Sequence, residues 1–575
     1  MTLKPTILRF LPIAGWLHCT LKGVRADAVA GIALAGLLVP EGMAYAGIAG
    51  VPSQMGLYAA LAGMFVYAIM GTSRQLAVTS TSSSAAMLAA LVAPIAAGDQ
   101  VQYALLASAA AVVAGLIFVL GSLLKLGSVS EFISKPVLKG FVFGLALTIM
   151  VKQAHKLMGI SEGQGNFFHQ TRHVITSLKE VNPWTLAVAA IAVAVMFLLG
   201  AVVPRVPSAL VVLVLGTVAV PLLGLERHGV EVVGTIHAGM PTLRLPRIGE
   251  DGWADLFMGA IGIVLVLTAE ALAAARTFAA KHRYDINPNQ ELFAMGAANL
   301  ASGLAGGIIV GGGMSGTAAN DALGARTQLS TITASLSVGL TLAFLMPLLR
   351  NLPEAVLGAI VVHAVAHLAD IATLKHYAEL GTGSIWAALI ALVGVLQMGI
   401  LKGLIFAVGL TLIALMWKLS ILQDSVLGRI PGSGNFVDVE RHPDAEQIPG
   451  LLIFRPNGVL FFANANRVRN RLRELVRRAG AIRAVLLNLE ASPEVDVTSL
   501  EMLEQLRTEF RGSGIDLYFA RVSDRGRDLF GRSGFLERLG QDRVFTGVDI
   551  AVNVFLKSAQ PPAEAGAAVV GQTRG

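Results

Sequence analysis

The sequence predicts a polytopic α-helical membrane protein that ends in a small α/β domain. Of its 575 residues, 54% are hydrophobic and only 14% are charged, and the mean hydropathy is +0.68. Soluble domains carry about a quarter charged residues, so this composition excludes a water-soluble protein of this size. Long uncharged stretches and a sharp rise in charge density near the end divide the chain into two parts.

Uncharged stretches fill most of the first part. Residues 28–124 contain three charged side chains, and residues 380–401 contain none. Apolar stretches of about 20 residues cross a bilayer as helices, because lipid cannot satisfy an open backbone. Division at glycine, proline and charged positions gives about twelve to fourteen segments. Two of them, near 79–93 and 315–324, are too short to span a bilayer alone.

Charge density places the boundary between the two parts. Residues 435–575 hold 37 of the 81 Asp, Glu, Lys and Arg side chains, which is the density of an ordinary soluble domain. A glycine- and proline-rich stretch, RIPGSGNF (429–436), marks the boundary. We expect a cytoplasmic lead-in, a transmembrane domain, a linker, a cytoplasmic soluble domain and a disordered tail, at 1–26, 27–424, 425–436, 437–560 and 561–575.

The soluble part alternates between strand and helix patterns. Short β-branched and aromatic runs indicate strands, and amphipathic runs of ten or more residues indicate helices. This alternation is typical of helices packed on a sheet. The predicted strands cover 450–456, 458–464, 483–490 and 515–521, and the predicted helices cover 465–479 and 497–510.

Net charge and cysteine content bear on the compartment and the partners of the protein. The formal charge of +7 is typical of Lys and Arg held in cytoplasmic loops, and we expect no nucleic-acid partner, which would need a clustered basic face. The single cysteine, Cys19, excludes an intramolecular disulfide. The first 23 residues lack a cleavable signal pattern and are expected to lead into the first span at the interface.

The two short segments share a pattern. Residues 75–90 and 306–329 each begin with glycine or hydroxyl-bearing residues and continue as helices of small residues. The beginning of a helix leaves free N–H groups and the positive end of the macrodipole, which together bind anions. Paired interrupted segments in the two halves of a membrane protein indicate a midplane site, and their spacing favours an inverted repeat.

Several stretches, in the same order, resemble one family. DAVAGIALAGLLVPEGMAYAGIAGVPSQMGLYAA (27–60) and YAIMGTSRQLAV (67–78) resemble the first-to-third helix signature of the sulfate permease (SulP) family, whose animal relatives include prestin and pendrin. Residues 269–307 resemble its eighth and ninth helices, and MSGTAANDALGARTQLS (314–330) its tenth. DVTSLEML, at 496–503, resembles the second-helix start of a STAS domain.

The resemblance carries expectations about architecture. It implies 14 transmembrane segments as a 7+7 inverted repeat, divided into core and gate domains as in uracil permease, with an anion between the third and tenth helices. It also implies a homodimer in the inner (cytoplasmic) membrane with the N-terminus and the STAS domain in the cytoplasm. No enzyme activity, cofactor or resident metal is expected.

The expected function is secondary active transport of a small anion. The substrate could be a sulfate-type oxyanion, bicarbonate or a C4-dicarboxylate. We expect transport to be coupled to H⁺ and to proceed by an elevator-like motion. Gly316 stands where some relatives have Arg, which favours cation-coupled uptake. Glu at 270, with Ala274 one turn later in place of a hydroxyl, favours H⁺ over Na⁺. Na⁺-coupled bicarbonate uptake is the alternative within this class, and an anion-sensing regulatory protein or a channel are alternatives outside it.

The candidate substrate-binding residues lie at the two helix beginnings. Hydroxyls and free N–H groups can coordinate an oxyanion without burial of a full positive charge. The alternative is that these small side chains serve tight helix packing. Many relatives have Gly-Pro at the positions of Thr79 and Ser80, so the first beginning departs from the family pattern. The candidates are Thr79, Ser80, Thr81, Ser82, Met314, Ser315, Gly316 and Thr317.

Three further side chains interrupt apolar helices. Glu270 is the candidate ion-coupling residue, because a charge at this depth needs a cavity, a partner or a proton; the alternative is an interfacial pair with Arg276. Glu41 occupies the matching position of the first half, where Pro40 is expected to break the helix. It would contact substrate or brace that turn, and Tyr45 would line the site or pack.

Other candidates have a structural alternative. Asp321 is expected to form a structural pair with Arg326, or a cytoplasmic anchor, rather than bind a ligand. His363 and His367 have metal-binding spacing, although a helix end near the interface is the simpler interpretation. Thr498 and Ser499 could accept a regulatory phosphate, or they could belong to an N-cap of the following helix.

Overall fold

The computed structural model divides into two compact units, Met1–Leu412 and Ile413–Gly575, which are described separately. The structure describes residues 21–127, 134–163, 165–203, 207–234, 239–246, 250–366, 368–381, 383–421 and 423–559. Cys19, His367, the predicted tail and most of the predicted lead-in lie outside these ranges.

The first unit is almost entirely helical. Its helices up to the middle of the unit are α1 (Leu21–Ala49), α2 (Ser53–Met70), α3 (Ser82–Ala96), α4 (Gln100–Leu123), α5 (Lys135–Met158), α6 (Phe167–Thr176), α7 (Pro183–Val202) and α8 (Ser208–Leu223). The remaining helices are α9 (Glu250–His282), α10 (Pro288–Leu304), α11 (Met314–Ala322), α12 (Leu329–Leu340), α13 (Glu354–Ala366), α14 (Ile371–Glu379), α15 (Ser384–Met398) and α16 (Ile400–Ser420), the last of which continues into the second unit.

Eight helical stretches of the described chain are long and apolar enough to cross a membrane, and four shorter apolar helices accompany them. Helix α12 reaches this length by continuing through a π turn and a 3₁₀ turn to Asn351. Helices α3 and α11 are short, as the sequence predicts. The protein is thus a polytopic helical membrane protein, and the count of fourteen segments stays a prediction.

Two groups of helices are packed within this unit. Helices of the first half interleave with those of the second, with α10 against α4 and α2, and α12 against α1 and α2. In a second group, α5 packs against α13 and α15, and α7 packs against α13. This interleaving brings the two short helices, far apart in sequence, into one core.

Glycine allows the closest of these helix contacts. A Cβ atom on Gly140 of α5 would lie 1.9 Å from the carbonyl oxygen of Ala388 in α15, so the two backbones touch. In the same way, a Cβ atom on Gly56 would lie 2.0 Å from the carbonyl oxygen of Gly42. Because lipid gives helices little hydrophobic reason to associate, such close backbone contact is a main source of helix association in membranes.

The second unit is an α/β domain built on one sheet. Its strands are β3 (Asp424–Arg429), β4 (Phe436–Asp438), β5 (Leu451–Pro456), β6 (Ala484–Asn488), β7 (Asp516–Ala520) and β8 (Val544–Phe545), in the spatial order β4-β3-β5-β6-β7-β8. Strands β5 to β8 are parallel, and β3 and β4 join at one edge in antiparallel pairs. The helices are α17 (Ala465–Ala479), α18 (Val497–Gly512), α19 (Asp524–Arg532), α20 (Phe535–Leu539) and α21 (Val548–Ala559).

Alternation along the central strands gives the sheet two apolar faces. Val485 and Leu487 belong to the core that also contains side chains of α17 and α18. Ala484 and Leu486 belong to a separate core closed by α21. Each face of the parallel sheet is therefore covered by helix, as parallel sheets require.

The structure confirms most predicted elements of this domain and corrects two. Helix 465–479 is confirmed as α17. Residues 458–464, predicted as a strand, form irregular backbone followed by a turn at 462–464. Asn464 donates to the carbonyl of Val459 and accepts from the amide of Phe461, which supports the turn before α17. Residues 425–429 of the predicted linker 425–436 belong to strand β3, which pairs with β5.

We predict opposite effects for two glycine-to-alanine substitutions in membrane helices. Gly140→Ala should lower the melting temperature of the purified protein and destabilise it by about 1–3 kcal/mol, because the new methyl group overlaps the backbone at Ala388. Gly200→Ala in α7 should preserve or raise it, since no described atom lies within 4 Å of the added Cβ. Equal effects of the two substitutions in a thermal-shift measurement would contradict this packing.

Candidate functional site

The two interrupted segments meet directly. Strand β1 (Val78–Thr79) pairs with strand β2 (Gly311–Gly312) in antiparallel register, with Val78 opposite Gly312 and Thr79 opposite Gly311. Helix α3 begins at Ser82 and helix α11 at Met314, each within a few residues of the crossing. The structure therefore brings the beginnings of the two short helices together.

Contact between the two helix beginnings is close. A Cβ atom on Gly313, the N-cap of α11, would lie 3.1 Å from Cγ2 of Thr81, the N-cap of α3. A Cβ atom on Gly316 would lie 3.7 Å from Cδ2 of Leu38 in α1. The absence of side chains at the two glycines leaves the start of α11 open toward α3 and α1.

Thr81 organises the start of α3 through a capping box. The amide of Ser84 donates to Thr81 Oγ1 at 3.1 Å, and the amide of Thr81 donates to Ser84 Oγ at 2.9 Å. This reciprocal pair satisfies two of the donors that a helix start leaves open. Thr81, predicted as a ligand, therefore also has a structural role.

The start of α11 is organised differently. Its N-cap, Gly313, makes no side-chain cap hydrogen bond. Met314 and Ser315 are exposed, whereas Gly316 and Thr317 are buried. The Thr317 hydroxyl donates to the carbonyl of Gly313 at 2.6 Å and accepts from the amide of Ala77 at 3.3 Å. Thr317 thus connects the two segments, and Ser315 is the accessible hydroxyl of the second beginning.

Two buried hydroxyls at the crossing have no hydrogen-bond partner in the described part of the chain. Thr79 Oγ1 and Ser80 Oγ are shielded from solvent, and the described residues provide no hydrogen bond to either atom. Thr79 is 6% exposed and Ser80 is 1% exposed. Buried polar groups are almost always paired, because an unpaired one forfeits its hydration. These two hydroxyls could be satisfied by a polar ligand at the crossing.

Glu270 contacts the start of α3. Its Oε2 atom accepts a hydrogen bond from Ser83 Oγ at 2.8 Å, and Ser83 Oγ lies 3.0 Å from Thr81 Oγ1. The same turn of α9 packs on β2, since a Cβ atom on Gly311 would lie 2.9 Å from Leu267 and one on Gly312 would lie 2.9 Å from Ala271. The predicted coupling residue therefore lies beside the crossing.

Ser83 is a site residue that the sequence prediction missed. It stands in the run TSTSSS, where every position carries a hydroxyl. Because consecutive side chains of a helix start point in different directions, the run alone could not indicate which hydroxyl faces Glu270.

Glu41 and Tyr45 lie on α1, and one expectation about them is wrong. Helix α1 continues through Pro40 without a break, so Glu41 does not cap an unwound turn. Membrane helices tolerate an internal proline where neighbouring helices satisfy the freed backbone groups. Glu41, about one turn after Leu38, is half-buried, and Tyr45, about one turn further on, is buried.

The predicted pair between Asp321 and Arg326 is also wrong. Asp321, near the end of α11, binds Lys281 Nζ at 2.6 Å and His282 Nε2 at 2.5 Å, both at the end of α9. The backbone amide of Arg326 instead donates to the buried carboxylate of Asp27 at 2.6 Å. Asp321 thus ties the far end of α11 to the helix that carries Glu270.

The remaining candidates have other contacts. His363 packs edge-on against Phe197, with ring centroids 4.8 Å apart. No group of three or more His, Cys, Asp and Glu that could hold a metal occurs within the described ranges. In the second unit, Asp496 caps α18 by accepting from the amide of Ser499 at 2.8 Å. Ser499 is buried and Thr498 is exposed, so only Thr498 is accessible for modification.

Two half-helices that start at a shared crossing, inside a polytopic bundle, define a membrane transport protein of the interrupted-helix class. Comparison with protein families gives the particular family. The model described as the sulfate permease family matches residues 24–415, and the model described as the STAS domain matches residues 442–551. The chain belongs to the sulfate permease family and carries a STAS domain.

Curated relatives cover nearly the whole chain. A probable sulfate transporter of Mycobacterium tuberculosis is 35% identical over 535 residues, which are 93% of this chain and 96% of the relative. High affinity sulfate transporter 1 of Stylosanthes hamata is 28% identical over 575 residues, with 95% of this chain and 86% of the relative covered. These relatives are transporters and not enzymes, and this chain is an anion transporter.

Solved structures share the fold. The murine Slc26a9 anion transporter (solute carrier 26 family member A9) matches with a TM-score of 0.88 at 21% identity, covering 97% of this chain and 95% of that one. The transmembrane domain of the cyanobacterial bicarbonate transporter BicA matches with a TM-score of 0.61 at 24% identity, covering 68% of this chain and 99% of that one. These likenesses show the fold, and the predicted resemblance to the sulfate permease family is confirmed.

Proposed function

We propose that this protein is a secondary active transporter that takes up sulfate together with protons. The observation that carries the proposal is the contact between the beginnings of α3 and α11, with the carboxylate of Glu270 attached to the first of them through Ser83. The two curated relatives described above, both named sulfate transporters, support sulfate as the substrate.

Two helix starts suit a tetrahedral oxyanion. Sulfate presents four acceptor oxygens, and each helix start offers backbone N–H groups at the positive end of its dipole. The unpartnered hydroxyls of Thr79 and Ser80 and the accessible hydroxyl of Ser315 add donors of the same kind. Gly316 leaves this site without a fixed cation of its own, so the negative charge of the ligand is balanced by partial charges alone.

Glu270 supports the coupling to protons. An ionised carboxylate beside a divalent anion repels it strongly where water is excluded. Uptake of a proton by Glu270 removes this repulsion, so anion and proton each favour binding of the other, and such coupling is reciprocal. If the site that holds both the anion and the proton then opens to the cytoplasm, the two are transported inward together.

The packing supports movement of the site as one body. Strands β1 and β2 join the two beginnings, and Ser84 of α3 also donates to the carbonyl of Ile309, just before β2, at 3.2 Å. Helices α5, α7, α13 and α15 form the second group of helices. We propose an elevator-like motion of the core that holds the crossing past this second group.

We also propose that the STAS domain lies in the cytoplasm and that the carrier resides in the inner (cytoplasmic) membrane. The basic lead-in, with Lys4, Arg9, Lys22 and Arg25, supports a cytoplasmic N-terminus. In a Cys19→Ser background, a Thr508→Cys substitution on the exposed face of α18 should react with a membrane-impermeant maleimide in inside-out vesicles. Reaction in right-side-out vesicles instead would reverse the proposed orientation.

The test of the proposal is uptake of labelled sulfate into proteoliposomes. We expect an inward proton gradient to drive accumulation above equilibrium without Na⁺, and unlabelled sulfate to compete better than bicarbonate, succinate, nitrate or chloride. Uptake of bicarbonate that depends on Na⁺, without uptake of sulfate, would contradict it. Binding without accumulation would indicate a sensor.

We predict that Glu270→Gln separates exchange from accumulation. The amide imitates the protonated acid, so sulfate–sulfate exchange should persist, while accumulation driven by the proton gradient should fall by about 5- to 150-fold, the usual range of coupling. Glu379→Gln, on the exposed surface of α14, is the matched control and should behave as the unmodified protein. Undiminished gradient-driven accumulation in Glu270→Gln, or a sulfate conductance that survives it, would exclude this role.

A further inference from the structure

The segment that leads from α2 into β1 has no regular structure of its own. Residues 72–77, called the entry segment here, run between Met70 and Val78 in turns and extended backbone. Irregular backbone inside a membrane protein has to find hydrogen bonds within the protein. The entry segment finds most of them on side chains of the second half, more than 200 positions away.

Glu291 and Tyr284 hold the first part of the entry segment. Glu291 Oε1 accepts from the amide of Thr72 at 2.6 Å, from its hydroxyl at 2.6 Å and from the amide of Ser73 at 3.1 Å. Tyr67 donates to the other oxygen at 2.5 Å. The phenol of Tyr284 accepts from the amide of Arg74 at 3.0 Å.

Gln328 and Asn320 hold the second part. Gln328 Nε2 donates to the carbonyls of Ser73 and Leu76 at 2.9 and 2.8 Å, and its Oε1 accepts from the Thr331 hydroxyl. Asn320 Nδ2 donates to the carbonyl of Gln75 at 2.9 Å. Gln328 and Asn320 are both 0% exposed, so water cannot replace either donor.

These contacts determine where the first helix beginning lies. Leu76 is two residues before β1, and Thr79 and Ser80 follow within the next four positions. Asn320 belongs to α11 itself, and Gln328 precedes α12 directly. A shift of the entry segment therefore moves the unpartnered hydroxyls of Thr79 and Ser80 relative to the start of α11.

We propose that Gln328 is a positioning residue of the anion site: by holding the carbonyls of Ser73 and Leu76, it sets the distance between the two helix beginnings and thus the preference for a tetrahedral anion. Gln328 itself does not contact the anion. This inference rests on the proposed site between α3 and α11.

The test is sulfate binding to purified protein in nanodiscs, measured with labelled sulfate, together with the melting temperature. Gln328→Glu keeps the size of the side chain and replaces the donor by an acceptor, so two hydrogen bonds to carbonyls are lost. We expect the Kd for sulfate to rise about 5- to 150-fold, the equivalent of two such bonds, and the ratio of sulfate to nitrate affinity to fall. Asn320→Asp, which loses one hydrogen bond, should also raise the Kd for sulfate and lower the ratio of sulfate to nitrate affinity, but by less.

Gln290→Glu is the matched control. Gln290 also donates from its side-chain amide to a backbone carbonyl, that of Met70 at 2.9 Å, but outside the entry segment. The Gln290→Glu variant should keep the Kd for sulfate and the anion preference of the unmodified protein. If folded Gln328→Glu and Asn320→Asp keep both values and lose only thermal stability, Gln328 is structural and the inference is wrong. If Gln328→Glu does not fold, Asn320→Asp alone decides. If the unmodified protein binds no sulfate, the proposed function fails instead.

Discussion

The antiparallel crossing of β1 and β2 is the interaction on which the rest of the membrane unit depends. Two helices that begin inside a membrane protein leave backbone groups that lipid cannot satisfy. The crossing pairs part of this backbone, and side chains such as Asn299, which binds both polar groups of the Val310 backbone at 3.0 and 2.9 Å, satisfy more of it. Interleaving of α10 and α12 with the first half brings these partners into place. Each helix beginning still offers free N–H groups, and within the described ranges the hydroxyls of Thr79 and Ser80 beside them have no hydrogen-bond partner.

Charge balance at this point explains why an acid would lie beside the proposed anion site. The helix starts provide partial positive charges, and Gly313 and Gly316 leave room without adding a cation. Glu270 is connected to Thr81 through the hydroxyl of Ser83, so in the proposed mechanism its protonation state would act on the first helix beginning. A fixed arginine would hold the anion in either state of the carrier. An acid that exchanges a proton makes affinity depend on conditions on each side of the membrane, which a coupled carrier requires.

Local patterns made much of this architecture predictable from the sequence. Charge density separates the two units, hydroxyl and glycine runs mark the two short helices, and the amphipathic run 465–479 gives α17. Hydrogen-bond partners that join the first half of the membrane unit to its second half were not predictable. Gln328 and Leu76 are 252 positions apart, and a single sequence contains no signal that joins them. The run around Ser83 does not indicate which hydroxyl contacts Glu270. The local sequence at Pro40 predicts a break, whereas α1 continues through it.

Localisation of the bound anion tests the central claim most directly. Selenate has the shape and charge of sulfate and scatters anomalously, so crystals of the protein grown in lipid with selenate would reveal its position. We expect an anomalous peak between the beginnings of α3 and α11, within hydrogen-bond distance of the backbone amides of Ser82 or Ser315. A peak elsewhere in the membrane unit, with the crossing empty, would contradict it.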